Sequence, residues 1–380
     1  ADPCAALVLT ERDGVEWLKQ RAVPLTNLEP LRATLAGVHT VALGEATHGS
    51  HEIFTVKADV VRYLVKDLGF TVLAMEAGYQ QAFAVDEYLR TGKGDPGAAL
   101  AGLGWWITNH EEILELLVWL RSYNETVPPE RQVRFAGFDS QLVEPAAAWL
   151  LGQVPANPVL EGLAAGKYPE SPDERRRWLS ELEALAAGLS DARAAQGARV
   201  LAQFVDADLL STSFREAVEK RERYLAENVV ALRAMYAPES RMILWGGGSH
   251  FLDESPRAGR YLRQQFGAAY YALGVHFGQG GFRAIGAQKT VEAHSVGPVP
   301  APNYLEANLA CVRPGSFLAD LRTGPRPAGA ETWLGTARPA RYISARYSPP
   351  EQGPVVLSSR PGALDGLIYI PVTTPSRQRP

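Results

Sequence analysis

The chain has 380 residues, of which 46% are hydrophobic and 21% are charged, and its formal net charge is -4 at pH 7. This composition is typical of a globular protein with one large domain or two ordinary ones. The acidic balance excludes nucleic-acid binding by overall charge, and no stretch reaches the roughly 18 apolar residues of a membrane span.

Short β-branched runs alternate with helical periods along most of the chain. Apolar residues spaced three and four apart predict helices over 52–68 and 79–90, and Asn109 with Glu112 has the pattern of a capping box at the start of a third helix. The β-branched runs predict strands at 38–43, 70–75, 133–138, 241–245, 270–277 and 366–370. We expect Gly44 to end the first of these strands.

The segment 141–236 is predicted to be almost wholly helical, and Ser171-Pro172 marks one helix start within it. Elsewhere the alternation of strand and helix predicts an α/β fold, with a mostly parallel central sheet and flanking helices. We therefore assign 1–140 and 237–380 to an α/β core domain. We assign 141–236 to a helical insertion that forms a cap over the cleft.

The two cysteines, Cys4 and Cys311, are too few for a thiolate zinc cage, and neither lies in a Cys-x-x-Cys motif. They could form a disulfide if the protein is exported. The opening Ala1-Asp2-Pro3 suits either a mature chain after signal cleavage or a cloning remnant. We favour export from a bacterial cell over a cytoplasmic location.

Ionisable side chains follow each of the first five predicted strands. Ligands of open α/β sheets bind beyond the carboxyl ends of the strands, so these side chains are candidates for one site. In chain order they are Glu45 with His48, Glu76, Asp139, His250 and His276.

This set of side chains suits proton transfer. A histidine near its ordinary pKa acts as a base near neutrality, and a neighbouring carboxylate fixes its tautomer. Glu45 and His48 lie three residues apart across a glycine-flanked turn, which predicts an acid/base pair. The flanking glycines allow the backbone to approach a ligand closely.

Structural roles compete with this interpretation at several positions. A histidine in a glycine-rich turn is structural about as often as it is functional. Glu76 and Asp139 could each cap the following helix, and for Asp139 we favour capping. His51 is expected to be a first-turn residue of its helix. His110, which follows Trp106 at a helix start, is equally a cap or a substrate contact.

Other chemistries fit the sequence less well. Glu45, His48 and His250 are possible metal ligands, but there is no HExxH motif and a turn does not fix ligand geometry, so we predict no metal. Ser249 does not lie in a GxSxG motif. The glycines 246–248 lack a GxGxxG or P-loop frame, so we expect no nucleotide and no other cofactor.

The stretch Gly44-Glu45-Ala46-Thr47-His48-Gly49 resembles the opening motif of the erythromycin esterase family, which includes succinoglycan biosynthesis-like proteins. The resemblance covers nearly the whole chain. It continues through 52–57, 69–76, 86–92, 106–124, 137–139, 221–228 and 365–370.

The resemblance implies a function. In the family, the histidine of this turn is understood as the general base that activates water for attack on a macrolide lactone. Carried over, His48 is the base and Glu45 its partner, and Arg221 is a candidate to stabilise oxyanion charge in the same cleft. We expect Glu76 and His250 to complete the catalytic set. The expected substrate contacts are Arg221, Trp106, His110, Trp245 and His276.

One departure from the family pattern concerns the reaction. The family has Trp-x-His-Asn-x-His after the fourth strand, whereas this chain keeps the last histidine as His250 but has Gly247 and Gly248 before it. From the rest of the pattern we still expect a hydrolase that opens an ester or lactone of a macrolactone or other polyketide-like small molecule. The alternatives are an acid/base cyclase or lyase in natural-product biosynthesis, or a non-catalytic ligand-binding homologue. We expect a monomer or dimer that binds no nucleic acid.

Overall fold

The computed structural model describes residues 2–236, 238–348 and 356–380. The strands in these ranges are β1 Val23–Pro24, β2 Thr40–Glu45, β3 Val72–Gly78, β4 Arg134–Asp139, β5 Met242–Gly247, β6 Tyr270–Ile285, β7 Val291–Val296, β8 Phe317–Asp320, β9 Arg338–Arg341, β10 Val356–Ser359 and β11 Gly366–Thr373. The α-helices are α1 Leu9–Lys19, α2 Pro30–Thr34, α3 His51–Lys66, α4 Ala82–Thr91, α5 Pro96–Ala101, α6 Glu111–Asn124, α7 Glu144–Leu151, α8 Pro158–Ala164, α9 Pro172–Gly188, α10 Ala192–Phe204, α11 Phe214–Tyr236, α12 Ala258–Phe266, α13 Leu305–Ala310 and α14 Ala328–Gly335.

A mostly parallel sheet forms the centre of the molecule. Its strand order is β1-β8-β11-β6-β2-β5-β3-β4, and β7 pairs with β6 outside this path. The strands from β11 to β4 run parallel to one another, whereas β1, β8 and β7 pair antiparallel. The predicted α/β class with a mostly parallel central sheet is confirmed.

Helices cover both faces of this sheet, which is why its central strands are buried along their whole length. Successive side chains of a strand point to opposite faces. Val41 and Leu43 of β2 accordingly pack into the apolar cluster that includes α3, whereas Ala42 packs into the cluster that includes α11 and α12. The whole of β2 is buried.

Helix α3 illustrates how local sequence places a site residue. Ser50 is its N-cap, and the Ser50 side chain accepts a hydrogen bond from the backbone N–H of Ile53. Residues spaced three and four apart form the buried face of this helix. Ile53, Val60 and Leu64 belong to that face, and so does Lys57. The otherwise apolar face of α3 therefore places Lys57 next to Glu45 at the carboxyl end of β2.

The segment between β4 and β5 is helical, as predicted. It contains α7 to α11 and a π-helical turn at Val205–Leu209, and Pro172 starts α9 behind its N-cap Ser171. Helices α7 to α10 enclose a separate apolar cluster. Helix α11 packs against β4 and α12. The role of 141–236 as a cap stays a prediction.

Several predicted strand ends, including those of β5 and β11, and one predicted cap are wrong. Gly44 does not end the first strand, because β2 continues to Glu45, and β6 continues to Ile285 through its pairing with β7 and β11. Likewise, β3 extends to Gly78. The N-cap of α6 is His110, not Asn109, and no side chain caps it.

The C-terminal segment explains the missing capping box. The Asn109 amide donates a hydrogen bond to the carbonyl oxygen of Pro380, and the Glu112 carboxylate accepts from the backbone N–H of Arg377. Both side chains are thus engaged by residues more than 260 positions away in the sequence. A pattern read within one turn of helix cannot detect such partners.

Cys4 and Cys311 form a disulfide across a sequence separation of 307 residues. It joins the 3-10 turn Pro3–Ala6 to the end of α13. Within the described ranges, none of the helices combines the length and the apolar character needed to cross a membrane.

Candidate active site

A cleft of about 420 Å³ lies over the sheet edge where the carboxyl ends of β2, β3, β4 and β5 meet. Its charged and polar lining residues include Glu45, His48, Glu76, Asp139, Arg221, Glu222, His250 and Arg257. Its apolar and aromatic lining residues include Trp105, Ile107, Phe214, Val218, Tyr342, Ile343, Val356 and Leu357. The predicted convergence of strand-end side chains therefore holds for four of the five strands.

The first group in the cleft joins Glu45, His48 and Lys57. The Nδ1 atom of His48 lies 2.8 Å from Oε1 of Glu45, and the other carboxylate oxygen of Glu45 pairs with Nζ of Lys57. Lys57 is fully buried, and its Nζ lies 4.0 Å from the centroid of the Trp245 ring. One carboxylate thus bridges an imidazole at the cleft surface and an ammonium beneath it.

The charges of this group can be assigned from its surroundings. Burial alone would raise the pKa of Glu45, but the Lys57 charge and the His48 hydrogen bond outweigh burial, and the pKa falls below its ordinary value. Burial lowers the pKa of Lys57 to about 8, although Glu45 opposes this effect.

The ionised carboxylate of Glu45 also fixes the tautomer of His48. A carboxylate only accepts hydrogen bonds, so Nδ1 of His48 carries the proton and donates it, and Nε2 holds the free lone pair. Among the described residues, no hydrogen bond reaches that Nε2.

Glu76 is the centre of a second group. Its Oε2 accepts a hydrogen bond from the backbone N–H of Gly247 at 2.8 Å, and its Oε1 lies 3.1 Å from Nη2 of Arg221 and 3.2 Å from Nε2 of His250. Burial by itself raises the pKa of Glu76, but the charge of His250 leads the opposing effects and holds it well below its ordinary value. Glu76 therefore connects two cations to a strand end, and does not cap a helix.

Asp139 belongs to the same group, so our preference for a helix cap at this residue is wrong. Helix α7 begins at Glu144, and Asp139 instead forms a two-point contact with Arg221, at 3.2 Å from Nε and 2.6 Å from Nη2. The guanidinium comes from α11, and its planar fork matches the carboxylate. Arg221 thereby reaches the cleft, as the resemblance implies.

His250 lies between two carboxylates. Its Nδ1 is 2.7 Å from Oε1 of Glu222, and its Nε2 contacts Glu76. Burial disfavours the charged imidazole, but Glu222 and Glu76 together raise the pKa of His250 to about 10. His250 is consequently a cation near neutral pH. It therefore does not serve as a base there.

Four predicted substrate contacts do not line the cleft, and the structure corrects them. His110 and His276 are fully buried, so neither reaches a ligand. Trp245 lies beneath Lys57. The ring centroids of Trp106 and His110 are 5.9 Å apart, whereas the neighbouring residues Trp105 and Ile107 line the cleft. His276 does not follow a strand end, because β6 continues past it.

The site contains several residues to which no role was assigned from the sequence. Lys57 carried a readable signal, because a charge on the apolar face of a helix needs a partner. Glu222, adjacent to Arg221, had no such signal, because its partners His250 and Arg257 lie on other elements. Tyr342 lies in a segment rich in proline and glycine, where no periodic pattern exists.

No group of three or more His, Cys, Asp or Glu side chains within the described part of the chain is arranged to hold a metal ion. The carboxylates of the cleft are instead paired with Lys, Arg and His. That the reaction needs no metal stays a prediction.

Comparison with known proteins identifies the family. The sequence profile named erythromycin esterase matches residues 65–373. The chain belongs to the erythromycin esterase family. Among its relatives is the Bacillus subtilis protein YbfO, whose name assigns it provisionally to the hydrolases. YbfO is 23% identical over 95% of this chain and 91% of its own. Erythromycin esterase type II of Escherichia coli is 27% identical over 136 residues, which cover 33% of this chain and 31% of that protein.

Solved structures share the fold of this erythromycin esterase family member. A Bacillus cereus protein matches with a TM-score of 0.83 and 24% identity, over 97% of this chain and 99% of its own. An erythromycin esterase mutant in its open conformation matches with a TM-score of 0.68 and 17% identity, over 94% of this chain and 96% of its own. Family membership and the name of YbfO support a hydrolase-like enzyme.

Proposed function

We propose that the protein hydrolyses an ester or lactone of a small natural product, with water activated by His48. The observation that carries the proposal is the hydrogen bond between Nδ1 of His48 and the ionised Glu45 at the cleft surface. This bond leaves Nε2 as the basic nitrogen of a neutral imidazole. A positioned base of this kind contributes roughly 10²–10⁴-fold to a rate.

The pair then acts in two steps. Nε2 of His48 removes a proton from water as the oxygen attacks the carbonyl carbon, and the resulting imidazolium is stabilised by Glu45. The same imidazolium returns the proton to the leaving alkoxide, which completes the balance. Lys57 keeps Glu45 ionised throughout, because its charge opposes protonation of that buried carboxylate.

Arg221 and His250, the cations that contact Glu76, have a complementary role. Arg221 and His250 are held in place by carboxylates at 2.6–3.2 Å. Fixed cations in a partly buried site stabilise the oxyanion that develops on the carbonyl, and they need no reorganisation during the reaction. We assign this stabilisation to Arg221 and His250.

The apolar walls suit the body of the substrate. Ligand sites combine an apolar lining with a few convergent polar groups, which is the arrangement here. Trp105, Ile107 and Val218 line the same cleft as the charged groups. A macrolactone or another polyketide-like ester has this division between an apolar body and one polar reacting group.

One observation favours a second candidate, a cyclase or lyase that uses the same acid/base pair without net hydrolysis. Gly247 brings no side chain to the space beside His48 and His250, so a substrate's own nucleophile has room to replace water there. The two candidates differ in the mass of their products.

The experiment is to incubate the protein with macrolactones and simple esters and to follow product mass. Gain of one water supports hydrolysis. An isomer of unchanged mass supports cyclisation, and loss of a small molecule supports a lyase. Ligand-induced thermal stabilisation without any product supports a binding protein and contradicts the proposal.

The base is tested by His48→Ala, with His51→Ala as the matched control. His51 begins α3 and its Nδ1 contacts Glu112, outside the cleft. We expect His48→Ala to lower kcat by about 10²–10⁴-fold with little change in Tm, and His51→Ala to retain turnover. Near-normal rates in His48→Ala would show that another group is the base.

A further inference from the structure

Gly247 and Gly248 differ in what surrounds them, although neither adopts a positive φ. A Cβ atom added to Gly247 would lie 3.2 Å from Cε1 of His48 and 3.4 Å from Cδ2 of His250. The nearest atoms to that position thus belong to side chains of the site. A side chain at 247 would therefore contact both imidazoles.

At Gly248 the space is already occupied. A Cβ atom there would lie 3.0 Å from Cε1 of Tyr342 and 3.1 Å from the carbonyl oxygen of Glu45. The Tyr342 ring therefore packs directly against the backbone of Gly248, and both residues line the cleft. Glycine at 248 allows a tyrosine from a distant part of the chain to reach the site.

The position of the Tyr342 ring is fixed from two sides. The backbone N–H of Ile343 donates a hydrogen bond to the carbonyl oxygen of Ala46 at 2.7 Å, which ties this segment to the turn that carries His48. The ring packs edge to face against His276, with centroids 5.4 Å apart and an interplanar angle of 77°. The His276 ring therefore supports the Tyr342 ring.

Tyr342 lines the cleft and is 8% exposed. Within the described ranges, no hydrogen bond engages its hydroxyl. Burial, followed by the nearby charge of Glu306, raises the pKa of Tyr342 above its ordinary value, so the phenol keeps its proton. A protonated phenol is a hydrogen-bond donor.

We propose that the Tyr342 hydroxyl donates a hydrogen bond to the carbonyl oxygen of the bound substrate, from the position that Gly248 leaves open. The inference rests on the proposed function, which it deepens by adding a neutral donor to the cations Arg221 and His250. The bond strengthens as the carbonyl oxygen becomes an oxyanion. Tyr342 moves no proton in this role.

The experiment compares Tyr342→Phe with the matched control Tyr347→Phe. Tyr347 is buried against Phe282 and His294 and does not line the cleft. Two probes are used: p-nitrophenyl butyrate for turnover, and the methyl monoester of butylphosphonic acid for binding. The phosphonate is an anionic tetrahedral mimic of the attacked ester. Its binding is measured by calorimetry and does not require turnover.

We expect Tyr342→Phe to lower kcat/KM about 10–100-fold and to weaken phosphonate binding by a similar factor, with unchanged Tm. Tyr347→Phe should match the wild-type protein in both measurements. Wild-type values in Tyr342→Phe would overturn the role of Tyr342 and leave the proposed function intact. If the wild-type protein neither hydrolyses the ester nor binds the phosphonate, the proposed function fails and the Tyr342 inference fails with it.

Discussion

Lys57 shows how a buried charge serves the residue that we propose as the base. Its ammonium lies under the cleft, fully buried, and pairs with the carboxylate that orients His48. A buried ion pair adds little net stability, but removing one partner leaves an uncompensated charge. We infer that Lys57 is kept for the charge state of Glu45.

We predict that Lys57→Met raises the pKa of Glu45, lowers kcat/KM about 10–100-fold and destabilises the protein by roughly 3–5 kcal/mol. The double variant Lys57→Met/Glu45→Gln removes both charges. It should regain most of the stability, measured by urea unfolding, and none of the activity. Equal stability of the single and double variants would contradict this account.

His250 makes a pH-dependent contribution to stability. Its pKa rises from an ordinary 6.5 to about 10 in the folded protein, because Glu222 and Glu76 outweigh burial. The folded state therefore binds this proton more tightly than the unfolded chain does. The contribution is complete below pH 6.5 and disappears as the pH rises through about 10.

The test compares the free energy of unfolding of the wild-type protein and His250→Gln from pH 6 to pH 10. We expect a difference on the order of a few kcal/mol at the acidic end, which shrinks toward pH 10. Taking the difference between the two proteins removes the titration of Lys57, which both share. A difference that stays constant over this range would show that His250 is not a cation.

At the scale of elements, Asn228 joins α11 to the end of β4. Its Nδ2 donates to the carbonyl oxygen of Phe138 and to Gln203, and its Oδ1 accepts from Gln196 and Gln203. All these bonds are 2.8–3.0 Å long. Arg221 lies two helical turns earlier on the same helix, so this anchor also sets its position.

We predict that Asn228→Leu destabilises the protein by about 1–3 kcal/mol, because the Gln partners remain buried without their bonds. It should also lower kcat/KM, because Arg221 shifts relative to Asp139. The control is Glu227→Ala, at an exposed neighbouring position whose ion pair among the described residues is with Arg223 at 3.6 Å, and it should leave both values unchanged. Unfolding in urea and ester hydrolysis are the measurements.

Some elements and contacts of this fold can be predicted from the sequence, and others cannot. Periodicity and strand-end position predicted the sheet, α3 and the meeting of Glu45, Glu76 and His250, because these depend on local pattern and on parallel topology. His276 was predicted to lie at a strand end because the apolar run stops at residue 277, whereas β6 continues to Ile285. Tyr342 could not be predicted, because its place is set by contacts with Gly248 and Ala46 that no local pattern encodes.

At the scale of the whole molecule, the cleft balances its charge. Glu45, Glu76, Asp139 and Glu222 are paired with Lys57, Arg221, His250 and Arg257. These fixed charges cancel, and the imidazole of His48 lies beside them at the cleft surface. The balance draws on β2, β3, β4, α3 and α11, together with the segment after β5. Correct folding of the whole chain is therefore a condition for the chemistry.

The Cys4–Cys311 disulfide contributes to that fold from outside the site, since neither cysteine lines the cleft. Closing a loop across a separation of 307 residues restricts the unfolded chain strongly. Such bonds persist in oxidising compartments, and export of this protein stays a prediction.

We predict that Cys4→Ser/Cys311→Ser lowers the free energy of unfolding by roughly 2–5 kcal/mol and leaves kcat/KM within about twofold of the wild-type value at a temperature where both fold. The reduced wild-type protein serves as the control, because it lacks the bond but keeps both sulfur atoms. It should match the double variant in urea unfolding. A large loss of activity with the fold intact would show that the bond positions the cleft, because stability and catalysis would then depend on the same link.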